Sequence, residues 1–244
     1  MMHEKFLKDI RERYFLAKHI FYTNVDGHFV VLDLRQNSYL LLSDTEKYVF
    51  SVLFEGQNKL DAQGPDHFKK LIEDLVIQGL LVDTPQKARQ HSAPDLPPVT
   101  REISGYPYDG LPAIRASHVY RCLKAFLYTR LVWWFNPMEK IIHKIKKRQT
   151  RLAAHPQPEA SIEQIRELIE IFRILKGLFY TAHNECLFDS LTMVNFLASY
   201  GIYPHVVFGV QMGPFAAHAW VQEGRRIYNG QITQVADFKP IMIV

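Results

Sequence analysis

Cysteine is nearly absent: Cys122 and Cys186 are the only two among 244 residues. Two thiols cannot build a disulfide framework or a cysteine-rich zinc site. One bridge between them stays open on sequence grounds, but free thiols are the expectation in a reducing cytoplasm. Long apolar runs are also missing. No stretch reaches the roughly 18 apolar residues of a membrane span. The most apolar one, residues 125–135, is interrupted by Arg130. The opening Met1–Tyr14 is charged and lacks the apolar core of a secretory signal. The expectation is a cytoplasmic protein without stable membrane insertion. No two histidines stand four residues apart, so the helical zinc pattern is absent and no metal or cofactor is expected. His205 and His218 have no evident third ligand. No nucleic-acid signature stands beside the basic residues, so nucleic acid is not an expected partner.

What is present is the composition of a folded globular protein, 48% hydrophobic and 22% charged. Charge is unevenly placed. Residues 1–85 carry 10 basic and 13 acidic groups, whereas 115–152 carry 10 basic groups and only Glu139. The densest basic part, 140–151, reads either as a solvated helix face or as a surface for an acidic partner, RNA or a membrane.

Periodicity divides the chain. Residues 17–42 read as three strands, with turns at Asp26-Gly27 and Arg35-Gln36-Asn37. Val30, Leu32 and Leu34 would share one face. Ser43 and Glu46 form a capping box for a helix. A second helix is expected over about 64–77, followed by an extended Leu80-Leu81-Val82. This order predicts an α+β chain that opens with a winged-helix-like module over residues 1–83. Residues 84–113 hold six prolines and two glycines, and read as a linker. A second domain is expected over 114–244. It has helices over 115–150 (broken near Asn136-Pro137), from Ser161 to about Tyr180, and from Cys186 to Tyr200. Strands follow over 204–211, 217–222 and 225–229.

Chemistry concentrates in residues 183–229. Cys186 follows His183-Asn184-Glu185 at a predicted helix start, where unpaired amides and the helix dipole favour a thiolate. The same amides can stabilise an oxyanion. Asp189, one turn on, would oppose the thiolate if it faced the sulfur, and is expected to point elsewhere. His218 sits between alanines in a strand, placed to take the thiol proton and return it to a leaving amine. Trp220 shares its face. A turn at Glu223-Gly224 would set Asn229 opposite His218, where its amide oxygen could orient the imidazole. Asp237 is the alternative orienter. Cys122 reads as a structural residue of a helix.

The run Cys186-Leu-Phe-Asp-Ser190-Leu, then Gly201-Ile-Tyr-Pro-His205, Gly209-Val-Gln-Met-Gly213-Pro-Phe215 and Ala217-His218-Ala-Trp-Val221, resembles the lasso-peptide maturation peptidases, or B proteins. These belong to the transglutaminase-like superfamily. The likeness covers roughly the last 60 residues. Residues 15–83 are similar to the recognition element of ribosomal-peptide modification systems. The resemblance implies a transglutaminase- or papain-like cysteine peptidase domain that cuts a precursor's leader from its core. It also implies an N-terminal module that binds the leader, and an asparagine-synthetase-like, ATP-dependent lasso cyclase as partner. The family's orienting residue is usually Asp, and the aligned position here is Asn229 or Gly230.

Leader binding by strand addition would use the edge strand 38–42. Tyr39 and Leu41 would face the peptide, and Phe68, Ile72 or Leu75 would line the opposite wall. The competing reading makes these residues the module's core. Two other functions stay open: an acyltransferase with an amine in place of water, and a non-catalytic peptide-binding scaffold.

Overall fold

The computed structural model describes residues 2–58, 60, 64–89, 96–103, 112–153, 160–180 and 186–244. It is 49% helical and 22% strand, a mixed helix-and-strand chain. Contacts divide it into two compact units, Met1–Ala93 and Pro94–Val244.

The first unit contains α1 (Met2–Arg13), β1 (Phe15–Leu16), β2 (Ile20–Val25), β3 (His28–Asp33), β4 (Ser38–Leu41), α2 (Asp44–Phe54), α3 (Gly64–Ile77) and β5 (Leu81–Val82). β2, β3 and β4 form one antiparallel sheet, and β1 pairs with β5. The Asp26-Gly27 turn pairs Val25 with His28. Both turn residues have positive φ, as a two-residue hairpin loop of this kind requires. The first strand, expected from Ala17, starts at Ile20, because Ala17 instead donates to Leu80 O at 3.1 Å and bridges to Ala88. Ser43 caps α2 through the Glu46 amide, and Glu46 reaches back to the Ser43 amide at 2.7 Å.

Sequence reading missed α1, whose apolar residues make only a narrow stripe. Leu7 and Ile10 pack into the core, and Arg11 donates to Val52 O at 2.8 Å near the end of α2. That link satisfies a carbonyl beyond the last helical bonds. Both faces of β3 are buried. Phe29 and Val31 of β3 pack with Tyr22, Val49 and Phe50, whereas Val30, Leu32 and Leu34 are buried outside that cluster. Tyr22 and Phe50 meet edge to face at 5.3 Å.

Phe68, Ile72 and Leu75 were candidates for a groove wall. They are 0, 0 and 2% exposed and belong to the core cluster. Their helical spacing is the spacing of a buried face, and the competing core reading holds for them. Tyr39 is half-buried on β4, and Leu40 and Leu41 are exposed. β4 forms one edge of its sheet.

The stretch 84–113 differs from a free linker at both ends. Pro85–Lys87 form a 3-10 turn, and Arg89 N donates to Leu16 O at 2.9 Å. Further on, β6 (Arg101–Glu102) pairs in parallel with a strand of the second unit. Proline withholds its own donor, yet its neighbours still bond. Residues 90–95 and 104–111 lie outside the described residues.

The second unit continues with α4 (Ala116–Phe135), α5 (Met138–Ala153), α6 (Ile162–Lys176), α7 (Cys186–Ala198), β7 (His205–Gln211), β8 (Ala216–Glu223), β9 (Arg226–Ile227), α8 (Ile232–Val235) and β10 (Lys239–Ile243). The helix break at Asn136-Pro137 and the Ser161 cap of α6 match expectation. The sheet order is β10-β7-β8-β9-β6. α8 and β10 follow the last strand that the sequence pattern suggested. α7 packs on β8, with α4 against α7.

The assignment of Ile72 has a direct test. Ile72→Ala should cost about 2–5 kcal/mol in urea unfolding of the full chain. Leu41→Ala, at an exposed edge, should change stability by no more than about 0.5 kcal/mol. Equal small effects would return Ile72 to an open groove.

Candidate active site

α7 begins at Cys186, so the thiol sits where the helix's first amides lack intrahelical partners. Residues 181–185, including His183, Asn184 and Glu185, lie outside the described residues. β8 supplies His218. The two side chains line one open cleft of about 390 Å³ in the second unit, together with Asp189, Met193, Asn229 and Gln234. Cys186 is half-buried and free. Cys122 is also free but buried, and burial pushes its thiol up to about 11. That environment makes it inert, as expected of a structural residue.

Glycine at position 209 shapes the His218 surroundings. Gly209 is the cross-strand partner of His218. A β-carbon there would lie 2.6–2.7 Å from the Trp220 ring and 3.0 Å from Phe238 Cβ. Its absence lets the indole cross the strand. The His218 and Trp220 rings stack with centroids 6.2 Å apart, and Phe238 approaches His218 at 5.5 Å. Trp220 is itself held by its Nε1–H, which donates to Gln222 Oε1 at 2.8 Å. Burial lowers the His218 pKa and favours the neutral imidazole that a general base needs.

Asn229 lies in the cleft but does not meet the expectation of a bond to His218. The hairpin turn is Gly224-Arg225, not Glu223-Gly224: Glu223 pairs with Arg226 and Gln222 with Ile227. Gly224, with φ 53°, occupies the first central position, where a two-residue turn favours glycine. The register therefore differs by two residues from the one that would oppose Asn229 to His218. Asn229 Oδ1 instead accepts from Val221 N at 2.6 Å, and its Nδ2 donates to Ser190 Oγ at 2.9 Å and Asp189 Oδ2 at 3.2 Å. His218 makes ring contacts but no hydrogen bond among the described residues. Asp237, the alternative orienter, is exposed and does not line the cleft.

Asp189 has more partners than the sequence suggested. Its carboxylate accepts from Lys176 Nζ at 2.8 Å and from Tyr180 OH at 2.9 Å, besides Asn229. The Asp189 side chain is only 7% exposed, so the ammonium is needed to balance its charge. Burial first, and the Asp189 charge second, push the Tyr180 phenol up and keep it a donor. Lys176 thereby offsets the negative charge one turn from Cys186. Ser190 Oγ, held by Asn229, donates to Ala219 O at 3.1 Å beside His218. Lys176 and Tyr180 carried no motif signal, and Ser190 only as part of the run that begins at Cys186; folding brings all three to Asp189 and Asn229. Among the described residues, no three His, Cys, Asp or Glu side chains converge as a metal site.

Residues 126–243 match the transglutaminase-like superfamily. The transglutaminase-like domain runs from within α4 to the end of β10, and includes Cys186 and His218. Its fold is generally a cysteine-dependent catalytic one, and the superfamily covers both cysteine peptidases and acyltransferases. No curated protein and no solved structure matches the chain.

Two measurements test the His218 environment of this domain. Burial lowers the folded pKa, so His218 adds stability that is complete above its unfolded value and lost as pH falls through the folded one. Turnover should likewise fall on the acid side with an apparent pKa below about 6.5. A limb above that value would contradict the buried imidazole. Gly209→Ala should displace the indole, cost about 1–3 kcal/mol and lower turnover. Wild-type stability and rate would show that the close approach is unimportant.

Proposed function

We propose that the transglutaminase-like domain is a cysteine endopeptidase and that the chain cuts the leader from a ribosomally made precursor peptide, as the lasso-peptide B proteins do. The observation behind the reading is the single open cleft that holds a helix-terminal thiol and a neutral imidazole. In the reaction His218 takes the Cys186 proton, and the thiolate adds to the scissile carbonyl. The oxyanion is met by backbone amides at the start of α7. Collapse breaks the C–N bond, and His218 returns the proton to the departing amine. A water, deprotonated by His218, then hydrolyses the thioester and regenerates the thiol. With an amine in place of water the same steps give acyl transfer, so the product identifies the acceptor.

Leader recognition is assigned to the first unit, read as a winged-helix-like module. Its β4 edge, with Leu40 and Leu41 exposed and Tyr39 beside them, suits addition of a peptide strand. Phe68, Ile72 and Leu75 belong to the core of the unit and do not touch the peptide. The ATP-dependent cyclase would receive the free core, and the cytoplasm is the compartment consistent with two free thiols.

Full-length Cys186→Ala should abolish cleavage of a precursor, read by mass spectrometry, while calorimetry finds leader affinity unchanged. Appreciable cleavage by this variant would remove Cys186 as the nucleophile. A leaderless core should be cut poorly, because a tethered leader raises the local concentration of the scissile bond. A covalent amide product formed without the cyclase would instead support the acyltransferase, and leader binding with no turnover a non-catalytic scaffold.

A further inference from the structure

The longest helix of the second unit turns an apolar face to solvent. α4 buries Cys122, Ala125 and Thr129. Asn195 of α7 donates to Thr129 Oγ1 at 2.9 Å, so that face looks onto α7. On the opposite side, Tyr120, Leu127, Leu131, Trp134 and Phe135 are 66, 48, 54, 65 and 77% exposed. Their spacing puts them on one helical face, about 22 Å long. A contiguous apolar patch of this kind marks an interaction surface more often than a bare exterior.

Charge narrows the occupant. α4 contains no Asp or Glu; its charges are Arg121, Lys124 and Arg130. The Arg130 guanidinium lies 4.9 Å from the centre of the Trp134 ring. Lys144 Nζ donates to Asn136 Oδ1 at 3.3 Å, which brings α5 to the aromatic end of the stripe. Lys140, Lys144 and Lys147 of α5 are exposed there. The partner must therefore be apolar and anionic together. A second copy docked face to face would set these cations against their own equivalents, which is repulsive.

We propose that α4 and α5 form a peripheral binding surface for an anionic lipid bilayer. The exposed leucines and aromatic rings enter the boundary between headgroups and acyl chains, and the lysines and Arg130 meet lipid phosphates. The contact is peripheral, since no described helix is long and apolar enough to cross a membrane. None of the stripe residues lines the cleft of Cys186 and His218, so lipid contact leaves the cleft free for a peptide.

Co-sedimentation of the full chain with vesicles tests this. It should pellet with mixed phosphatidylglycerol and phosphatidylcholine vesicles, not with phosphatidylcholine alone, and salt should weaken the association. Tryptophan emission should shift to the blue on binding, and Trp134→Phe should remove most of that shift. The double variant Leu127→Glu and Leu131→Glu should lower partitioning at least about tenfold. Circular dichroism checks its fold; Lys124→Glu, at an exposed position, should also weaken binding and serves if the double variant misfolds. Failure of the wild type to bind anionic vesicles would overturn the proposal and leave the face to a protein partner. Equal binding to neutral vesicles, or undiminished binding by a folded variant, would overturn it as well.

Discussion

Asn229 and Asp189 together tie the first turn of α7 to the strands that carry His218. The amide of Asn229 reaches Val221 of β8 on one side, and Ser190 and Asp189 of α7 on the other. Asp189 extends the link to Lys176 at the end of α6 and to Tyr180 just beyond it. Each partner is at least partly buried, so each bond satisfies a group that would otherwise lose water without compensation. Ser190 Oγ adds a direct bond to Ala219 O of β8, so the helix that carries the thiol and the strand that carries the imidazole are held by one polar joint as well as by packing. The cleft depends on it in a way that the packing of α7 on β8 alone does not provide, because apolar contacts tolerate sliding.

The same link settles the charge around Cys186. A carboxylate one turn from the sulfur would ordinarily resist thiolate formation. Here Lys176 balances it, and the helix start keeps its favourable dipole. His218, by contrast, is governed by rings. Trp220 and Phe238 exclude water and lower its basicity, and Gly209 provides the room. Charge and apolar packing thus act on different members of the site, thiol on one side and imidazole on the other.

Much of this arrangement was legible beforehand. Ser43, Glu46 and Ser161 mark helix starts by local chemistry that needs no tertiary partner. Asp26-Gly27 marks its hairpin for the same reason. Cys186 and His218 stood out because a thiol at a helix start and a histidine between alanines on a strand are local patterns. Asn229 was named too, but its actual partners were not legible, because its position relative to His218 depends on which two residues form the turn. Glu223-Gly224 and Gly224-Arg225 are both acceptable turn pairs, and the choice shifts every cross-strand neighbour by two. Phe68, Ile72 and Leu75 show a similar limit. Their spacing announces an apolar helical face, but a face toward a core and a face toward a groove have the same period.

What the sequence by itself determined is most of the local elements and the pairing of a helix-start thiol with a strand histidine as site candidates, since caps, turns and short-range periodicity act within a few residues. The tertiary structure alone decided which carboxylate, amide and ammonium meet behind the cleft, which ends of the proline-rich stretch are tied down, and which apolar faces stay in water. Those depend on groups far apart in the chain: Lys176 and Asp189, Asn229 and Ser190, Gln222 and Pro97. Such pairs leave no mark on their neighbours, because a hydrogen bond across the fold constrains position and not local sequence pattern.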